Sequence, residues 1–282
     1  MRDGRVCEEC VGGAPWRGVL HRCYRNSILA SAAVAWMISA NRQRDTWNRH
    51  VDAFLVPSEF ARTRFVEGGF DANRILVKPN LIADPGRPCT RPSASNMVLY
   101  AGRLSAEKGL GTLLAAWASA RLDDIGQLLI AGDGPQESEL RGQAQALGLT
   151  GVRFTGRMDR AEVQRLIGGA RAVVLPSLCY ETFGNVVVES FAAGRPAIVS
   201  DLGAIGEAVD HERTGLKVRP GDAAALGDAM LRILTDAGAA DRMGHRARSH
   251  YVADFSPKRN LEMLMDAYRF ATRSQEALAC AI

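Results

Sequence analysis

The sequence has no apolar run long enough to cross a membrane: its longest, residues 28–40, falls short of the ~20 residues a spanning helix needs. Arg22 and Arg25 before that run and Ser39-Ala40 after it imitate a signal-peptide core, but a preceding Cys7-x-x-Cys10 and Trp16 are atypical of such a leader. Cysteine is sparse. Six in 282 residues do not make a disulfide scaffold, and Cys89, Cys179 and Cys280 stand alone, which favours a reducing, cytoplasmic setting. An excess of one charge sign is also missing. The 35 basic and 31 acidic residues leave +4, too mild to argue for nucleic acid but suited to an anionic small molecule or a loose contact at the inner face of a membrane.

Metal chemistry has little to stand on. Cys7-x-x-Cys10 followed by His21 and Cys23 has the residue types of a zinc knuckle, yet the spacing after the first pair is short and a fourth thiol is absent, so packed, reduced cysteines are favoured. None of the five histidines has a partner pattern that marks a general base. Repeats and low-complexity tracts are absent too.

What is present is an alternation of short apolar runs with helical stretches. Residues 20–46, rich in Ala, Leu, Met and Ile without Gly or Pro, predict one long helix. A strand at 51–57, a helix at 59–67 capped by Ser58 and a strand at 74–77 follow. Three prolines and a glycine between 83 and 95 mark a linker. Beyond it strands are expected at 97–102, 127–131, 152–155, 172–175 and 197–200, and helices at 111–120, 137–147, 160–168 and 205–209. Helices at 223–235, 240–251 and 257–272 close the chain. Such alternation predicts an α/β fold with a doubly wound parallel sheet. The expected domains are 1–82, the linker 83–95, a Rossmann-like domain at 96–255 and a C-terminal helix at 256–282 packing back toward the first.

Three loops carry the chemistry. Gly102-Arg103-Leu104-Ser105-Ala106-Glu107-Lys108-Gly109 puts two cations just past a strand, where they suit a diphosphate; a solvated turn with Glu107 pairing one cation is the plainer alternative. Ala131-Gly132-Asp133-Gly134-Pro135 begins like a dinucleotide fingerprint without its third glycine. The third runs from Pro176 to Pro196. It sets Glu181 and Glu189 around Gly184 at a helix start, where free N–H groups and the dipole favour phosphate. Cys179 has no activating partner there.

Together the three, Gly-Arg-Leu-Ser-x-Glu-Lys-Gly, Ala-Gly-Asp-Gly-Pro and Glu-Thr-Phe-Gly-Asn-x-x-x-Glu, resemble the retaining glycosyltransferases of the GT-B fold, family four. The resemblance implies two Rossmann-like domains, the C-terminal one holding a nucleotide-diphosphate sugar, with no cofactor and no metal required. It implies that Arg103 and Lys108 bind the donor diphosphate and stabilise its departure, with Gly102 in the same loop. Glu181 would meet hydroxyls of the transferred sugar, and Glu189 those of the ribose. Backbone amides of Phe183, Gly184, Asn185 and Val186 would line sugar and diphosphate, Gly156 and Arg157 would lie by the base, and Gly132 and Gly134 would keep that side open. The acceptor, a sugar, a lipid-linked glycan or a small molecule, stays open. Family members begin with a strand, a Gly-rich loop and several βα units before a helix like 20–46. That portion is missing, so the first domain is expected to be only the later part of an acceptor domain, with exposed apolar surface. A nucleotide-sugar-binding module without catalysis is therefore the alternative.

Overall fold

The computed structural model describes residues 6–86 and 90–279, with side chains described through residue 272. Cys89, Cys280 and part of the 83–95 linker lie outside the described residues. The chain divides into two units: one comprises residues 80–260 with Val6, the other Cys7–Pro79 with the chain from Leu261 onward.

In the second unit the helix expected over 20–46 forms only at α2 (Ile28–Gln43), with the short α1 (Arg17–Leu20) before it and α3 (Thr46–His50) after it. Arg22, Arg25 and Asn26 adopt φ of 50–52° between α1 and α2, a left-handed backbone that cannot continue a right-handed helix. Ser27 then restarts it, its hydroxyl accepting from Ala30 N at 3.3 Å. Next come β1 (Phe54–Val56), α4 (Glu59–Glu67), capped by Ser58, and β2 (Ile75–Val77). β1 and β2 pair in parallel, Phe54 opposite Ile75, as a sheet of two strands. Arg62 ties α4 to β2 through Ile75 O and Ala72 O, and Phe54 meets Phe70 edge-on at 5.1 Å. Little else is buried. Val56 and Ile75 are the buried large apolar side chains described here, while Trp16, Trp36, Trp47, Leu29 and Met37 are exposed.

The first unit is built on six parallel strands: β3 (Met97–Ala101), β4 (Gln127–Ala131), β5 (Val152–Gly156), β6 (Ala172–Leu175), β7 (Ala197–Ser200) and β8 (Gly215–Val218). Their order is β5-β4-β3-β6-β7-β8, so the chain winds outward one way, returns to the centre and winds out the other. Between them lie α5 (Leu110–Ser119), α6 (Glu137–Ala146), α7 (Arg160–Gly169), α8 (Asn185–Ala192) and α9 (Gly203–Ala208). After them come α10 (Ala223–Thr235), α11 (Ala237–His250), a single π turn (Tyr251–Phe255) and α12 (Pro257–Ala279), which from Leu261 onward belongs to the second unit. Alternation along each strand sends side chains to opposite faces. Val98 and Tyr100 join Leu113, Trp117, Leu128 and Met230 on one side, and Leu99 and Ala101 join Val173, Val187 and Phe191 on the other.

β8 has no counterpart among the expected strands. It is a four-residue edge strand interrupted by Lys217, and Gly215 lets it approach its neighbour: a Cβ there would lie 2.0 Å from Ala197 O. Among the described residues no helix is long and apolar enough to cross a membrane.

Candidate functional site

The strand order reverses between β3 and β6, and in an open α/β sheet the loops leaving such a pair diverge to form a crevice at the carboxyl ends. The loop after β3 carries Lys108 and the loop after β6 carries Glu181. Two close backbone approaches bring these loops together. Leu178 N donates to Glu107 O at 2.8 Å, and Gly109, with φ +71°, lies where a Cβ would be 2.1 Å from Pro176 O. Lys108 Nζ consequently donates to Glu181 Oε1, and Ser177 Oγ donates to the same oxygen at 2.8 Å. The two side chains keep 23% and 18% of their surface in solvent, so the pair is half-buried and reachable.

On the other side of β3 a cleft of about 680 Å³ opens above β3, β4 and β5. Gly102, Arg103, Gly132, Gly134, Arg157 and Val186 all line it, as do Asp133 and Arg160. Its walls are zipped at the backbone: Gly102 N donates to Ala131 O at 2.9 Å, Leu104 N to Asp133 O at 2.8 Å, and Gly132 N to Gly156 O at 2.9 Å. The glycines make these contacts possible. A Cβ on Gly132 would lie 1.9 Å from Gly102 O, and one on Gly134 2.2 Å from Leu104 O. These two glycines, expected to keep that side of the cleft open, line it and also let the neighbouring loops touch. Tyr100, buried beneath, donates its hydroxyl to Arg103 O at 2.8 Å, and burial holds its phenol well above the usual range.

α8 begins at Asn185 with Gly184 in the left-handed region at φ +78°, so the Asn185 and Val186 amides sit in its first turn. Asn185 accepts from Asn80 at 2.9 Å. Phe183 buries its ring against Phe255 of the π turn, centroids 6.0 Å apart, which anchors the loop from below. Glu189 sits one turn in, its carboxylate 3.8 Å from Arg160 Nη2 at the cleft. Burial raises its pKa above the ordinary carboxylate value, and Arg160 partly opposes that. Glu107 accepts from Ser105 Oγ at 2.5 Å, which with the nearby Lys108 and Arg103 charges holds its pKa low. Burial raises the Cys179 thiol, in keeping with a packing role.

Arg160 and Ser177 are not among the residues that the sequence singles out. Arg160 had a signal: a cation in the first turn of a helix opposes the dipole unless an anion is near. Ser177 had none. Among the described residues, no group of three or more His, Cys, Asp or Glu side chains converges as a cation site, and Cys7, Cys10 and Cys23 are free thiols.

The chain matches the family model described as "Glycosyl transferases group 1" over residues 95–236, half of its length, which includes all six strands of the larger sheet. Similar proteins include a glycogen synthase of Mycobacterium tuberculosis, 41% identical over 171 residues covering 60% of this chain and 40% of the relative. An alpha-D-kanosaminyltransferase of Streptomyces kanamyceticus is 30% identical over 254 residues, covering 87% of this chain and 62% of the relative. This chain thus spans about half the length of these relatives. In three dimensions it resembles HepE of Anabaena, solved with UDP and glucose, with a TM-score of 0.68 at 21% identity over 86% of this chain and 67% of that one. The structural neighbours are GT-B glycosyltransferases, so the α/β architecture is that of the GT-B fold. The six-stranded sheet, its switch-point crevice and the family match over the same residues agree: this chain belongs to the glycosyl transferases group 1 family.

Proposed function

We propose that the six-stranded unit binds a nucleotide-diphosphate sugar and that the protein transfers the sugar to an acceptor with retention of configuration, in polysaccharide or glycoconjugate synthesis. The observation that carries this reading is the convergence of Arg103, Arg157 and Arg160 on one cleft beside the Lys108–Glu181 pair at the switch point. In this reading Arg103 and Lys108 hold the diphosphate. When the bond between the sugar carbon and the diphosphate oxygen breaks, negative charge grows on the phosphate, and preorganised cations stabilise it by several kcal/mol, on the order of other electrostatic catalysts. Glu181 takes hydroxyls of the sugar and Glu189 those of the ribose. Free amides at the start of α8, from Phe183 through Val186, face the phosphates, and Gly156 and Arg157 border the base. HepE, with UDP and glucose in its structure, supports a uridine donor as the first to try. The acceptor is a sugar, a lipid-linked glycan or a small molecule, met in the cytoplasm or at the inner face of a membrane.

Residues 7–79 are in this reading the later part of an acceptor-side domain that further chain or a partner completes. A two-stranded parallel sheet with few buried side chains supports that, because parallel strands are normally covered on both faces. The same observation favours the second reading, a nucleotide-sugar-binding module that does not catalyse transfer by itself. Calorimetry with UDP and GDP tests binding first. Lys108→Ala and Glu189→Ala are each expected to weaken it by about 1–3 kcal/mol, the worth of a charge-assisted hydrogen bond. Absence of binding by either nucleotide at millimolar concentration, or unchanged affinity in both variants, would defeat the site assignment. Turnover of UDP-glucose, measured as UDP release with candidate acceptors, then separates the enzyme from the binding module.

A further inference from the structure

A second groove, also about 680 Å³, lies at the opposite end of the same sheet. It runs between the segment entering β3 and one face of α11, where Gly244 and Gly194 let the helix touch the turn before β7: a Cβ on Gly244 would lie 2.4 Å from Gly194 O. Arg242 and Arg246, one turn apart on α11, line it together with Arg91 and Arg248. Its single lining carboxylate, Asp241, is engaged by Ser93 N at 2.9 Å and Ser93 Oγ at 2.8 Å. Arg248 is bonded to Asp84, but among the described residues Arg91, Arg242 and Arg246 have no carboxylate within ion-pair distance.

Two buried arginines lie close by in the fold, one of them bonded to Thr90 of the lining. Arg195, 1% exposed, gives Nη2 to Thr90 O and Thr90 Oγ1 at the groove, while its Nε and Nη1 are buried without a hydrogen-bond partner. Arg171, also buried, donates to Ser95 O at 3.1 Å and Ile233 O. Neither of these two guanidinium groups is within ion-pair distance of a carboxylate among the described residues, although Asp241 offsets part of the burial of Arg195 from further away. Buried charge without a close counter-ion is costly, and the cost falls when an anion sits nearby. A groove of ordinary ligand size, lined by arginines without ion-pair partners and backed through Thr90 by the buried Arg195, fits a small phosphate-bearing anion. We infer that this groove is a second anion site, separate from the nucleotide cleft, for a ligand with one or two phosphate groups such as a sugar phosphate or diphosphate.

Titration of the full chain with inorganic pyrophosphate tests it. Two classes of site are expected in the wild type. Arg242→Ala combined with Arg246→Ala should remove one class, weakening it by at least about tenfold, while Arg103→Ala with Lys108→Ala removes only the other. Replacing Arg242 and Arg246 by Lys keeps the charge and the fold and should restore part of the lost affinity. Isotherms unchanged by the α11 substitutions, or abolished entirely by the Arg103 and Lys108 pair, would overturn the inference. So would binding to phosphatidic acid vesicles with none to soluble pyrophosphate, since that makes the face a lipid contact. If only the α11-dependent class appears, the second site stands and the nucleotide cleft fails.

Discussion

Gly132→Ala is the sharpest test of how the proposed nucleotide cleft is built. The new Cβ would start 1.9 Å from Gly102 O, whereas real Cβ contacts are not found below 3.0 Å, so the two loops must part by about 1.1 Å. The atom in the way is backbone and no rotamer relieves the clash. Parting the loops stretches the Gly102 N to Ala131 O and Leu104 N to Asp133 O bonds, now 2.9 and 2.8 Å, to near 4 Å, where little attraction remains. Two such bonds are worth about 1 kcal/mol each. The backbone at φ +142° adds about 1–3 kcal/mol of strain for any residue with a Cβ, which makes the expected loss roughly 3–5 kcal/mol. Trp117 reports on this unit, being fully buried with its indole N–H on Asp123 at 2.6 Å, while Trp16, Trp36 and Trp47 are exposed in the other unit. Urea denaturation followed by Trp117 fluorescence, with the other three changed to Phe, would read the midpoint. Gly142→Ala is the control. It sits exposed in α6 with nothing within 4 Å of the place a Cβ would take, so it should stabilise by about 0.5–1 kcal/mol. A Gly132→Ala chain as stable as wild type, with unaltered nucleotide binding, would refute the loop-contact argument.

Acidification should weaken binding of a nucleotide sugar through Glu189. Burial raises its folded pKa, so its carboxylate is lost as pH falls through that raised value, before ordinary carboxylates protonate. UDP-glucose is the probe of choice, because it lacks the terminal phosphate that titrates near pH ~6 in UDP itself; Glu189→Gln should flatten the profile, and a profile of the same shape in the variant would speak against the role. The same shift has a stability sign. A carboxyl whose folded pKa is raised costs stability above that pKa and none well below the unfolded one, so Glu189→Gln should raise the melting temperature at neutral pH and lose that gain in acid. Glu181→Gln should strengthen binding of UDP relative to UDP-glucose, because it frees Lys108 for phosphate while weakening the acceptor for sugar hydroxyls; equal changes for both ligands would contradict the division of roles.

The six-stranded unit was legible because its strands are short apolar runs bounded by glycine and its helices carry ordinary periods, so β4, β6 and β7 lie where the sequence placed them. β8 escaped because an edge strand of four residues with one lysine has no distinctive pattern. The break between α1 and α2 escaped for another reason. Left-handed backbone at Arg22 and Arg25 has no propensity signature, since arginine is a good helix former and only Asn26 and Ser27 hinted at a stop. In the site, charged and glycine positions beside strand ends could be singled out, but not the partners they meet. Arg103 and Lys108 share one loop in sequence, yet Arg103 opens onto the cleft over β4 and β5 while Lys108 turns the other way, to the β6 loop. That split follows from the strand order, a long-range property that no local spacing encodes.

The pairing of Lys108 with Glu181 bears on how such a site tells a sugar donor from a bare nucleotide. The ammonium's charge is directed at a carboxylate that Ser177 also holds, so neither group is left desolvated and alone. In the proposed role, an arriving diphosphate draws Lys108 away and leaves Glu181 with only the serine hydroxyl. A nucleotide without sugar must then bear the cost of a half-buried carboxylate short of donors, whereas a sugar supplies hydroxyls at the moment the lysine leaves. Part of the phosphate's binding energy is thereby made conditional on the sugar. Under the proposed function, two loops locked by Gly109 against Pro176 O would couple recognition of the leaving group to recognition of the group transferred.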